Sequence, residues 1–365
     1  MNSIQNSNAL KFIAFFLVAI ILLCLFGFTV DGWQINNNTP TDETPPLDDK
    51  PAEENIAESP KEPEIYIPKY VNALTGLETE AELSQKRHLA FIMDTATPLY
   101  GTSYSDLLIE FPVEYGGSRL ASITNNYTNI GKIGSLTRTK DYISSVISAF
   151  NSIVIANGKD ESVSYNTSTI PHDIIDLEDS SESKYTEFNV YTYTNGSLIS
   201  QCINSEIISD TYMTIPSLPY AFPDFGEENV KGESIFHSIT IPYSAQNAIS
   251  LQYNAEIKEY SYLRNNSPQT DLLNGNTIDF VNCLVLFADS ITFEDSSGLQ
   301  MNLKTNEYGT GYFFTEGTAK EITWEYSNIG SLTLYDEIGS KLIINRGKTY
   351  IAFVKSSEKN NITLS

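Results

Sequence analysis

Histidine and cysteine are scarce. Three of each occur in 365 residues, and His88, His172 and His237 are scattered, with no cysteine pair near them. A zinc site needs three or four such ligands at close spacing, so the sequence predicts no metal centre, and it implies no cofactor. Basic residues are also few: 22 Lys and Arg stand against 46 Asp and Glu, a formal net charge of −24. Such a chain repels a phosphate backbone, which counts against nucleic acid as a partner. It repels an anionic membrane surface or wall polymer too, unless a cation bridges them. No Gly-x-Ser-x-Gly elbow is present, although a Ser/His/Asp site built from scattered residues stays open. No repeat of fixed period is found.

Charge is wholly missing from one stretch, "FIAFFLVAIILLCLFGFTV" (12–30). At about 1.5 Å per residue this run spans a hydrocarbon core of roughly 30 Å. It is longer than the usual signal-peptide core of about 7–15 residues. Lys11 precedes it and Asp31 and Trp33 follow, which predicts a cytoplasmic tip and a transmembrane anchor over 1–30. The remainder would then lie outside the cell membrane. Cys24 within the run is a candidate for lipidation, but Ile21, Leu22 and Leu23 precede it where a lipoprotein has a small residue. An uncleaved anchor is the other reading.

Next comes "TPTDETPPLDDKPAEENIAESPKEPE" (39–64), with six Pro, nine acidic residues and two Lys. It holds too little apolar surface to offset its ordering entropy. Residues 31–65 are therefore predicted to be a disordered stalk, able to reach on the order of 100 Å at roughly 3 Å per residue.

What remains is rich in hydrophobic residues (41% of the chain) and in aromatics, with 22 Tyr and 18 Phe, a composition that favours β structure. The sequence predicts an α+β fold in two parts: an α/β first domain over 66–220 and an all-β second domain over 229–357. In the first, "TEAELSQKR" (79–87) reads as a short helix with Thr79 as N-cap and Glu82 completing a capping box. "HLAFIMD" (88–94) reads as a buried strand. "DLLIEFPVEYGGSRLASI" (106–123) reads as a hairpin turning at Gly116-Gly117, with Glu110 and Glu114 on its outer face. "TKDYISSVISAF" (139–150) has helical spacing and "NSIVIAN" (151–157) reads as a strand. Residues 160–187 read as a long loop, and "FNVYTYTNGSLISQCI" (188–203) as a hairpin around Asn195-Gly196. Beyond the Pro-rich joint "IPSLPYAFPDFGEE" (215–228) the pattern is alternating, Tyr/Ile/Thr-rich strands. Cys202 and Cys283 could pair outside the cytoplasm or remain free buried thiols.

These segments resemble the YerB-like family of Gram-positive lipoproteins, a two-domain family of unknown function. "NALTGL" keeps Asn72, Leu74, Thr75, Gly76 and Leu77 of its opening motif. "EYGGSRL" keeps Gly116, Gly117 and Arg119 of its hairpin, and "IGKIGSLT" keeps Ile130, Gly131 and Ser135. The C-terminal part matches more closely, through Tyr253, Tyr260 and Arg264, then "GTGYFFTEGTAKEITW" and "LYDEIG…INRGKTYI". The departures concern the polar motif. Gly134 and Thr137 stand where the family has arginines, and Ala156 where it has a histidine. A later motif survives only as "TIPHD", with Pro171 and His172. Neither Gly nor Thr can replace a guanidinium that binds an anion bidentately. The stretch 129–142 is thus expected to be mainly a turn and a helix start. The alternative is a ligand site rebuilt from Lys132, Arg138, Arg119 and helix N-terminal amides.

Two functions follow. The first is a membrane-anchored extracytoplasmic module that binds another envelope protein or a wall polymer without catalysis. The second is an envelope enzyme acting on a wall polymer or other anionic substrate through Arg119, His172 and Asp94. The aromatics of the second domain could stack on sugars, or fill a β core.

Overall fold

The computed structural model describes residues 65–159, 173–178, 192–205, 208–227, 229–296, 298–305, 307–327 and 330–365. The 12–30 run, Cys24, the 31–64 linker and His172 lie outside them. No helix among the described residues is long and apolar enough to cross a membrane.

The strands of the first part are β1 (Leu89–Asp94), β2 (Leu107–Pro112), β3 (Ser118–Thr124), β4 (Ile133–Leu136), β5 (Ile153–Ala156), β6 (Ile174–Asp176) and β7 (Thr192–Thr194). Its helices are α1 (Ala81–Gln85), α2 (Asp141–Ser148) and α3 (Gly196–Ser205). After the Pro-rich joint come β8 (Ser234–Ile235), β9 (Ser238–Ser244), β10 (Asn247–Asn254), β11 (Glu259–Arg264), β12 (Ser267–Pro268), β13 (Asp279–Phe280) and β14 (Asn282–Ala288). They are followed by β15 (Ser290–Asp295), β16 (Gly298–Leu303), β17 (Tyr308–Thr315), β18 (Thr318–Tyr326), β19 (Leu332–Tyr335), β20 (Thr349–Lys355) and β21 (Thr363–Leu364). The fold is β-rich with few helices. Among the described residues the part after the joint is all-β, apart from one 3₁₀ segment at Ser356–Asn361.

One large mixed sheet, ordered β19-β18-β17-β14-β20-β2-β3-β1-β4-β7, runs through both parts. Its joint is β20, parallel both to β14 and to β2. The sheet thus crosses the boundary that composition marks at 215–228, and Pro63–Ser365 form one compact unit. A smaller sheet, β12-β11-β10-β9-β21, is the second layer.

The uninterrupted apolar runs of the central strands reflect cover on both faces. Leu89, Phe91 and Met93 of β1 share a core with Ile239, Ile249, Leu251 and Tyr260 of the small sheet and Ile199 of α3. Ala90 and Ile92 face the other way, into a core with Ile143, Val146 and Ile147 of α2. In β20 the alternation is the same: Tyr350 and Ala352 lie in the first core, Ile351 and Phe353 in the second. The aromatics of the second part fill these cores: Tyr260, Tyr262, Phe313, Phe314 and Trp324 are all buried.

Several local expectations are corrected. Helix α1 starts after Glu80, which makes no side-chain cap bond. Thr79 is held before the helix by its backbone N–H donating to Tyr70 O (3.0 Å). The hairpin turn uses positive φ at Tyr115 and Gly116, not at Gly117. A Cβ on Gly116 would also run into the Ser244 side chain. The 188–203 hairpin is instead β7 followed by α3. Asn195 Oδ1 accepts from Leu198 N (2.9 Å), an N-cap bond rather than a hairpin turn. Gly196 lies where a Cβ would collide with the Tyr127 backbone. In the 129–142 stretch the structure adds β4, which pairs with β7 and with Met93 of β1, before α2 begins. Cys202 and Cys283 are buried and not joined by a disulfide, so the disulfide alternative falls.

Candidate functional site

β1 ends at Asp94, whose cross-strand partner is Arg119 at the start of β3. Residues paired across antiparallel strands have Cβ atoms about 4.5–5.5 Å apart, so a carboxylate and a guanidinium start from neighbouring points. Asp94 Oδ1 accepts from Ala96 N (2.9 Å), which turns the chain out of the strand. Beside this pair lies a cleft of about 280 Å³, lined by Asp94, Thr95, Arg119 and Thr137 and, from the small sheet, by Asn247, Arg264 and Asn265. On the other side of Asp94 a second cleft, about 290 Å³, is lined by Ser135, Thr137, Arg138, Asn157, Glu178 and Thr192.

Arg264 is the hinge between the layers. Its Nη2 donates to Glu110 Oε1 (2.8 Å) and to the Tyr262 hydroxyl, and its Nη1 donates to Asn247 Oδ1. Glu110 is fully buried. Oε1 also accepts from Ser118 Oγ (2.5 Å), while Oε2 accepts from Tyr262 OH (2.8 Å) and Tyr350 OH (2.9 Å). Four donors thus surround one carboxylate, satisfying a buried charge that would otherwise be costly. Burial, reinforced by the Glu110 charge, raises the Tyr262 and Tyr350 phenols well above their ordinary range. Burial alone would lower the Arg264 guanidinium, but the Glu110 charge lifts it instead.

Of the residues named from sequence, the structure brings Asp94 and Arg119 into one cleft and puts Arg138 in the next. Arg138 Nη2 lies 2.8 Å from Glu178 Oε2. Lys132 lines neither cleft; its Nζ sits over the rings of Tyr100 (4.3 Å) and Tyr193 (4.1 Å). His88 is buried, with Nδ1 2.7 Å from Tyr212 OH. Burial raises the Cys283 thiol well above its ordinary range. Glu110 and Glu114 are not a solvated outer face. Glu110 is the buried centre just described, and Glu114 Oε1 lies 2.7 Å from Lys140 Nζ.

Sequence reasoning missed the role of Glu110, Ser118, Asn247 and Arg264. Two signals were available. Glu110 interrupts an otherwise apolar run, "LLIEFP", and Arg264 is in phase with Tyr260 and Tyr262 on one strand face.

Residues 239–351 match the family described as protein of unknown function (DUF3048), C-terminal domain. The fold is similar to the crystal structure of YerB protein from Bacillus subtilis, with a TM-score of 0.69 and 20% sequence identity. That likeness covers 81% of this chain and 100% of the other, so it takes in the first part of the fold as well as the second. The chain shares the fold of YerB. Among curated proteins none matches it. Thr137, where the sequence resemblance puts an arginine, lines both clefts. Gly134, at the other arginine position, has φ +132° and lies in β4 against the Thr192 carbonyl.

Proposed function

We propose that the chain is a membrane-tethered extracytoplasmic binding protein that holds a polar ligand of the cell envelope in the Asp94–Arg119–Arg264 cleft without transforming it. The observation that carries this reading is the fixing of Arg264. Its guanidinium is set by Glu110, Tyr262 and Asn247 before any ligand arrives, and rigid polar groups bind at little ordering cost. Ser118 Oγ, one of the hydroxyls lining the cleft, donates its proton to Glu110 and is held in the network rather than aimed outwards as a nucleophile. The uncharged run at 12–30 and the acidic linker support the tether.

The test has two arms. The full chain in detergent is titrated with a soluble digest of its own cell envelope. Saturable binding that Arg119→Ala removes, with the digest recovered unchanged by mass spectrometry, is expected. New products in the digest would establish the enzyme reading instead. Protease added to intact, wall-stripped cells should cut within 35–65 and release a soluble fragment; full protection would sink the tether.

A further inference from the structure

The two clefts share a wall. Asp94 and Thr137 line both. Each alone, at about 280 and 290 Å³, falls just below the usual range for a small-ligand site, about 300–1,000 Å³, and joined they lie well inside it. Charge alternates across the join: Arg119 and Arg264 on one side, Asp94 in the middle, Arg138 and Glu178 beyond. A ligand of a single charge sign would meet a like charge along the way. Side-chain amides stand at both ends, Asn247 and Asn265 in one cleft and Asn157 in the other, and bonds within the protein hold each in place. Among the described residues no aromatic side chain lines either cleft, so a sugar ring finds no stacking face there.

We infer that the two clefts form one groove for an extended peptide carrying both carboxylate and ammonium groups. Carboxylates lie against Arg119 and Arg138, and an ammonium between them lies against Asp94. This rests on the binding reading above and names its ligand class. Because the ligand is held at two cationic sites joined by a short chain, affinity grows with length as soon as both are reached.

The test is calorimetric titration of the full chain in detergent with defined peptides: the dipeptide Glu-Lys, an alternating Glu-Lys hexapeptide, and all-Glu and all-Lys hexapeptides. A neutral N-acetylglucosamine oligomer completes the set. The alternating hexapeptide is expected to bind at least about tenfold more tightly than the dipeptide. Arg138→Ala should erase that difference, Arg119→Ala should abolish binding, and Lys132→Ala, outside the groove, should change nothing. Equal affinity for the short and long peptides, while the envelope digest still binds and depends on Arg119, would refute the continuous groove and leave the binding protein standing. Preferential binding of the all-Glu peptide, the all-Lys peptide or the sugar oligomer would overturn the ligand class. Failure of the digest and all the peptides to bind would remove both readings.

Discussion

Glu110 of β2 and Arg264 of β11 are 154 residues apart in the chain and 2.8 Å apart in the fold. The pair joins the large sheet to the small one. Side-chain exposure is 0% for Glu110 and 10% for Arg264, so neither partner can turn to water if the other is lost. Glu110→Gln leaves an uncompensated buried guanidinium and should cost about 3–5 kcal/mol in urea unfolding. Glu110→Leu combined with Arg264→Met removes both charges and should recover much of that loss. A cost below about 1 kcal/mol for the single change would show that the pair does not hold the layers together.

The tyrosines around this carboxylate set an alkaline limit. Tyr262, Tyr350 and Tyr243 are raised well above the ordinary value of 10.0, first by burial and then by Glu110. The folded state therefore keeps protons that the unfolded chain releases near pH 10. Their contribution to stability is full below that pH and is lost as pH rises above it. In a titration followed at the phenolate absorbance, one group of tyrosines should ionise only together with loss of the folded circular dichroism spectrum. Ionisation of every tyrosine near pH 10 with the fold intact would contradict this.

Lys132 is a packing residue. Its ammonium lies over two rings that meet edge to face, Tyr100 and Tyr193, with centroids 5.4 Å apart. Lys132→Ala should cost about 1 kcal/mol of stability and leave binding of envelope fragments unchanged. A loss of binding with stability intact would place Lys132 in the site.

The two parts should not fold when separated. Residues 229–365 alone lack β2, the neighbour of β20 in the sheet, and leave Arg264 without Glu110. That fragment is expected to be unfolded or aggregated by circular dichroism and gel filtration, and mixing it with residues 65–220 during refolding should restore a soluble complex. A monomeric fragment with a native-like near-ultraviolet spectrum would show that the second part stands by itself.

Periodicity made the elements legible where one pattern dominated. β1, the β2–β3 hairpin, α2 and β5 lie where apolar runs and helical spacing put them. The misreadings occur where a residue has two uses. Asn195-Gly196 fits a hairpin turn equally well, and only the close approach of Tyr127 and the bond from Leu198 decide for a helix. β4 is four residues with Gly and Ser in it, and its pairing with β1 and β7 outweighs that composition. In the site, Asp94 and Arg119 were legible as individual candidates. Their meeting with Arg264 was not, because it depends on how the small sheet lies against the large one. Glu110 misled for a related reason: period alone cannot tell a solvated face from one covered by another sheet.

The position of β20 bears on when this chain can fold. The strand that completes the middle of the large sheet begins at Thr349 of a 365-residue chain. Until it has left the ribosome, β14 and β2 have no common neighbour, and nothing made earlier can join the halves of the sheet. Contacts between such distant residues form slowly. The halves of the large sheet are therefore joined late, by a strand that follows both of them in the chain. The strand order itself sets a slow step in folding.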